Sequence, residues 1–180
     1  FYYKLIWDMI SIPFLGDFSI GIFYIPLFII VMIACWSGGI IDGIDGLSGG
    51  TFASIFGAFT IISFSQAKYD LATLCAVVTG TLFAFLWFNI PPARFYMGET
   101  GMLGLTITLA IISFVTDSVL MLPLIALPLV ATSLSSLIQL ISKRWFNRKV
   151  FKIAPLHHHF EVLGWSRPKI VMRYWILTFI

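Results

Sequence analysis

Long apolar runs broken by short polar clusters dominate the chain. Uncharged stretches cover 20–36, 49–67, 71–93, 101–116 and 118–142, each close to the roughly 17 to 25 residues that a helix needs to cross about 30 Å of hydrocarbon. Five membrane spans are predicted, and a sixth begins at Ile170. The expected fold class is all-α: a polytopic membrane helical bundle, one integral membrane domain over 1–180. A short strand pair is expected around 14–19, at the surface away from the chemistry. The sequence starts with Phe1 rather than Met and shows no cleavable signal peptide, so it reads as a fragment.

Composition supports the membrane reading. Hydrophobic residues make up 59% and charged residues 11%, with a mean hydropathy of +0.99, whereas roughly a quarter of a soluble domain is charged. Cys35 and Cys75 lie in separate spans and read as small apolar residues, not as a disulfide or metal pair. The net charge of +3 says little by itself, and no nucleic-acid partner is expected. Placement says more. Alternating the spans puts the connections 37–48, 94–100 and 143–169 on one side of the bilayer. That side carries Arg94, Lys143, Arg144, Arg148, Lys149, Lys152, Arg167 and Lys169, against only Lys4 and Lys68 on the other. The positive-inside rule makes the first side cytoplasmic.

The same side collects the candidate chemistry. In "IIDGIDGLSGG", Asp42 and Asp45 stand three apart, each followed by glycine. An aspartate before glycine is commonly a turn or helix cap. A helical turn here would instead put both carboxylates on one face, where their repulsion calls for a cation or a donor-rich ligand between them. In "FNIPPARFYMGETG", Pro91 and Pro92 end the third span and Glu99 sits where the fourth begins, as a dipole partner or a ligand. Asn89, still inside the apolar run, costs free energy unless its amide is paired. In "APLHHHFEVLGW", three consecutive histidines make a poor zinc site, because helical neighbours diverge by about 100° and useful helical ligands are spaced i and i+4. At a basic membrane surface they suit phosphate binding or proton transfer.

"DGIDGL", "PPARFYMGETG" and "PLHHHFEVLGWSRPK", in this order and separated by spans, resemble the phospho-N-acetylmuramoyl-pentapeptide transferase family of polyprenyl-phosphate sugar-1-phosphate transferases. The resemblance extends over essentially the whole chain and corresponds to the C-terminal six of that family's ten spans. It implies transfer of phospho-MurNAc-pentapeptide from UDP-MurNAc-pentapeptide to undecaprenyl phosphate, giving lipid I and UMP, with Mg2+ required. It also implies a bacterial inner membrane location with the site on the cytoplasmic face, and a homodimer is among the assemblies it allows. Carried over residue by residue, it makes Asp42, Asp45 and His158 candidate catalytic residues and Glu99 the metal ligand. Asn89, Tyr96, His157, His159 and Gln139 become substrate-binding candidates, with Tyr96 where the family has a uracil-packing phenylalanine.

The chain also departs from the family pattern. Trp36 and Gly39 stand where the family usually has asparagines, Glu99 replaces its metal aspartate, and Met102 replaces the serine of "GDTGS". The adjacent aspartate pair of the family's N-terminal half is absent, so this chain alone is expected to lack part of the active site. A related transferase using another UDP-sugar such as UDP-GlcNAc is the nearest alternative, and the histidine run stands against it. A catalytically degenerate membrane paralogue or a transporter is the other alternative, supported by the two lost asparagines.

Overall fold

The structure, a computed structural model, describes residues 9–12 and 16–179. Lys4 and the first two residues of the expected 14–19 strand pair lie outside them. Strands β1 (Met9–Ile12) and β2 (Gly16–Ser19) form an antiparallel hairpin, with Met9 opposite Ser19 and Ile12 opposite Gly16. The pair therefore starts earlier in the chain than the sequence pattern suggests.

Helices α1 (Tyr24–Gly38), α2 (Leu47–Ser65), α3 (Tyr69–Asn89) and α4 (Gly98–Val115) follow the first four apolar runs. With the flanking 3-10 turns of α1 included, these are the four helices long and apolar enough to cross a membrane among the described residues. The chain is an all-α membrane protein apart from the hairpin. The fifth run does not fold as one helix. It breaks into α5 (Leu122–Ile125) and α6 (Leu127–Phe146), each with a proline in its first turn, Pro123 and Pro128. Proline lacks the N–H that an interior helical position must donate, but it is tolerated at a helix start. The helix therefore ends before Pro128 and restarts there. Displaced toward the polar end, α6 carries Lys143 and Arg144 in its last turn, where the helix dipole favours cations. Helices α7 (Leu156–Val162) and α8 (Arg167–Phe179) complete the described chain, and α8 contains the beginning of the expected sixth span.

The centre of the bundle is α2. Of its apolar span 67% is buried, against 22% for α1 and for α3, and Phe52, Phe56 and Phe59 on one face are wholly enclosed. Small residues let its neighbours approach. A Cβ on Gly49 would lie 2.9 Å from Leu86 Cδ2 of α3, and one on Gly50 would lie 2.0 Å from Trp175 Nε1 of α8. Only glycine accommodates both contacts, which is how helices that gain little from hydrophobic burial in lipid come to pack closely.

The two ends of the bundle are tied differently. At one end Gln66 donates to Thr116 O (2.8 Å), and Lys68 donates to Val115 O (2.7 Å) while lying 4.0 Å from Asp117. This clasps the α2–α3 turn to the end of α4. At the opposite end lie residues 42–46, 89–99 and 150–159, which agrees with the segregation read from charge.

Candidate active site

Residues 42–46 leave the helical path, which corrects the expectation of one helical turn. Asp42 has φ −76° and ψ 82°, and Gly46 caps α2 at φ +79°, in the left-handed region that glycine occupies without steric cost. The two carboxylates are consequently held by different elements. Asp42 Oδ1 accepts from the Ser48 hydroxyl at 2.7 Å, whereas Asp45 Oδ2 accepts from the Ala93 N–H at 3.2 Å. Separate donors relieve the repulsion that a shared face would impose.

Asp42 then meets a partner from elsewhere in the chain. A cleft of about 890 Å³ lies between the end of α1 and the start of α4, and its lining includes Trp36, Gly39, Asp42, Glu99, Thr100 and Met102. Glu99 stands in the first turn of α4 with its side chain exposed. Asp42 and Glu99 thus bring two carboxylates to one cavity, whereas Asp45 is not among its lining residues. Among the described residues no three His, Cys, Asp or Glu groups gather as a closed cage. Such an arrangement fits magnesium, which takes oxygen ligands, keeps several waters and needs only one or two carboxylates. Tyr96 is 66% exposed and does not line the cleft.

Asn89, the last residue of α3, is 2% exposed. Its Oδ1 accepts from the Gly46 N–H at 2.9 Å, and its amide donates to Phe95 O at 3.0 Å. The pairing demanded by an amide at the end of an apolar helix is therefore supplied by backbone from both neighbouring loops. Gln139 on α6 makes an analogous contact elsewhere. It accepts from the Val150 and Phe151 N–H groups (3.1 and 2.9 Å) and donates to Phe151 O (2.9 Å), folding the 147–153 segment back on its own helix.

The histidines lie on α7, and two of the three converge. A Cβ on Gly43 would sit 2.8 Å from His157 Nε2 and 3.1 Å from His158 Nε2, so the glycine between the aspartates is what admits both rings. Their centroids are 4.3 Å apart. His159 turns away and its Nδ1 accepts from the Lys152 N–H at 3.1 Å.

His157 is fully enclosed, and neither ring nitrogen has a hydrogen-bond partner among the described residues. Burial first, and His158 second, depress its pKa to about 4 against the opposing pull of Glu161. It is neutral at physiological pH. His158 is partly exposed and pairs through Nδ1 with Glu161, which also accepts from Arg167 Nε at 2.8 Å. Burial works against ionisation of Glu161, yet hydrogen bonds and charge from His158 and Arg167 hold its carboxyl below the usual range. The bond at Nδ1 leaves His158 Nε2 directed toward the aspartate loop.

The sequence offered no role for Glu161, Ser48 or Trp175. Glu161 had a local signal, three residues after His158 on a helix. Trp175 had none, although its indole N–H donates to Gly46 O at 3.1 Å.

A family model described as Glycosyl transferase family 4 matches residues 1–117. The chain is 37% identical over 175 residues to a protein of Chloroflexus aurantiacus named phospho-N-acetylmuramoyl-pentapeptide-transferase, covering 92% of this chain and 48% of that relative. A protein of the same name from Rubrobacter xylanophilus is 36% identical over 162 residues, 90% of this chain and 49% of the relative. Another, from Clostridium perfringens, is 39% identical over 178 residues, 98% of this chain and 56% of the relative. The chain thus spans about half the length of the curated relatives it matches.

Proposed function

Since the chain belongs to glycosyl transferase family 4, we propose that it supplies the C-terminal part of the active site of a phospho-N-acetylmuramoyl-pentapeptide transferase. In the proposed reaction an oxygen of undecaprenyl phosphate attacks the β-phosphorus of UDP-MurNAc-pentapeptide. The P–O bond to the α-phosphate breaks, UMP leaves and lipid I remains. The proposed setting is the bacterial inner membrane, with the cleft facing the cytoplasm. The observation that carries the reading is the meeting of Asp42 and Glu99 in one cleft beside a loop on which His157 and His158 rest. The names of the relatives favour this substrate over another UDP-sugar.

Asp42 and Glu99 are the residues that would hold Mg2+, which supplies charge neutralisation on the diphosphate. Among the described residues Glu99 has no hydrogen-bond partner and Asp42 commits only Oδ1, to Ser48, so both cleft-lining carboxylates retain oxygen lone pairs. Asp45 shapes the site by anchoring the 91–95 segment through Ala93. His158, with Nδ1 bound to Glu161, presents Nε2 toward the loop and in its protonated form donates there to a phosphate oxygen. Neutral, enclosed His157 backs it. Tyr96, exposed in the segment that leads into α4, is the proposed platform for the base. Asn89 and Gln139 contribute by ordering the loops that surround the nucleotide, and His159 by ordering the segment around Lys152.

The test is release of UMP by the full-length protein in detergent or nanodiscs. UDP-MurNAc-pentapeptide with undecaprenyl phosphate should be turned over in a magnesium-dependent way, and UDP-GlcNAc should not. His158→Ala should lower turnover by about tenfold or more without loss of folded yield. Preference for UDP-GlcNAc would assign the chain to another branch of the family, and no magnesium-dependent release with either would make it a degenerate paralogue.

A further inference from the structure

Besides the helical bond from the Gly50 N–H to Gly46 O (3.3 Å), three bonds from outside the loop converge on the dipeptide Asp45–Gly46. The Ala93 N–H donates to the Asp45 carboxylate, the Gly46 N–H donates to Asn89 Oδ1, and Trp175 Nε1 donates to Gly46 O. Asn89 and Trp175 lie 43 and 129 residues from Gly46 along the chain. Local sequence therefore cannot account for both bonds. The third contact also constrains its surroundings. The Trp175 indole occupies the volume that a side chain at residue 50 would need, 2.0 Å from an ideal Cβ there, and it flanks Gly46, whose φ of +79° itself requires glycine.

We propose that Trp175 is a positioning residue of the active site: beside the helical Gly50 N–H, its indole N–H is the second and shorter donor to the Gly46 carbonyl and thereby holds the orientation of the aspartate loop, linking α8 to the cleft. Geometry makes the link direct. Gly46 follows Asp45 and caps α2, whose second residue, Ser48, holds the Asp42 carboxylate. Rotation of the Gly46 peptide therefore moves both aspartates at once, and displacement of a reacting group by about 1 Å can cost about 10²-fold in rate. An indole serving only as packing would contribute volume and nothing directional. Here the ring lies in a seat bounded by Gly46 and Gly50 with its only donor aimed at a loop carbonyl.

The proposal rests on the transferase reading for its kinetic consequence but not for its structural one. Two substitutions in the full-length protein separate donor from volume. Trp175→Phe keeps an aromatic ring and removes the N–H. Replacement of Trp175 by 3-benzothienylalanine keeps the bicyclic shape with sulfur in place of N–H, and serves if the phenylalanine variant does not fold. Hydrogen–deuterium exchange over residues 42–50 should rise at least about tenfold in the isosteric variant, corresponding to about 1.4 kcal/mol, within the range for one lost hydrogen bond. Turnover should fall by about tenfold with KM for the nucleotide substrate unchanged and the melting temperature preserved. Unchanged exchange in the isosteric variant overturns the proposal, whatever the substrate proves to be. Faster exchange with undiminished turnover also overturns it, because the loop would then be loosened without consequence. An inactive wild-type protein would refute the transferase reading instead, and exchange would still decide whether Trp175 holds the loop.

Discussion

Glu99 is the residue at which this chain differs most pointedly from the family it resembles, and its surroundings decide between two roles. As a dipole partner at the start of α4 it would contribute about 0.3 to 1 kcal/mol of stability and leave catalysis alone. As a ligand facing Asp42 across the cleft, its charge and its reach both matter. Exposure without a partner among the described residues favours the second role. In the full-length enzyme, Glu99→Gln should therefore lower turnover by about 10²-fold, the scale expected when a group stabilising transition-state charge is lost. Glu99→Asp should retain most activity and shift the magnesium dependence, because the shorter carboxylate still offers an oxygen directly or through water. Magnesium titrations of turnover for the three proteins check this, and a Glu99→Gln enzyme with normal rate and metal dependence would return Glu99 to the dipole role.

Among the elements, α7 is the one whose placement the chemistry depends on most. It is held over the aspartate loop by contact with a residue that has no side chain. Gly43→Ala would put a methyl 2.8 Å from His157 Nε2 and 3.1 Å from His158 Nε2, distances that real contacts essentially never show or rarely show. Either α7 or the loop must move. Turnover should drop about tenfold or more, while helix content by circular dichroism stays unchanged. The double variant Gly43→Ala, His158→Ala should lose less than the product of the two single effects, because groups in contact do not act additively, although His157 still meets the methyl at 2.8 Å. Fully additive losses would mean that the histidines and the loop do not act together.

What was legible in the sequence follows the same division between local and tertiary causes. The first four helices were readable because charges mark their ends, and Asp42, Glu99, Asn89 and the histidines stood out because polar groups are costly in an apolar setting. The break in the fifth run was also written locally, in Pro123 and Pro128, but hydropathy outweighed it. The splitting of Asp42 from Asp45 depends on backbone dihedrals at 42 and 46 and on donors from Ser48 and Ala93, so spacing alone could not give it. Trp175 was invisible, since an indole in an apolar helix reads as core or interfacial belt and its partner is a backbone carbonyl at the other end of the chain.

For the whole molecule, the question is whether the two tied ends of the bundle face different compartments. One end is closed by Lys68 and Gln66 bound to the end of α4, and carries no element of the cleft. The other carries the aspartate loop, the start of α4, α7 and the basic segment that runs from Lys143 to Lys152. The proposed nucleotide-linked substrate would need the second end to lie inside, and the excess of lysine and arginine there is the pattern that the positive-inside rule associates with that side. The replacement of one long span by α5 and α6 makes this a stringent matter, because the side on which residue 149 lies depends on that broken segment crossing the bilayer once. Cysteine at Lys149 should be modified by a membrane-impermeant maleimide only after the inner membrane is opened, whereas cysteine at Lys68 should be modified in intact spheroplasts. Natural Cys35 and Cys75 are both buried within the bundle, so they contribute no background. Modification of both positions from one side would mean that α5 and α6 together do not cross, and the histidines of α7 could not then share a compartment with Asp42, although they lie against Gly43.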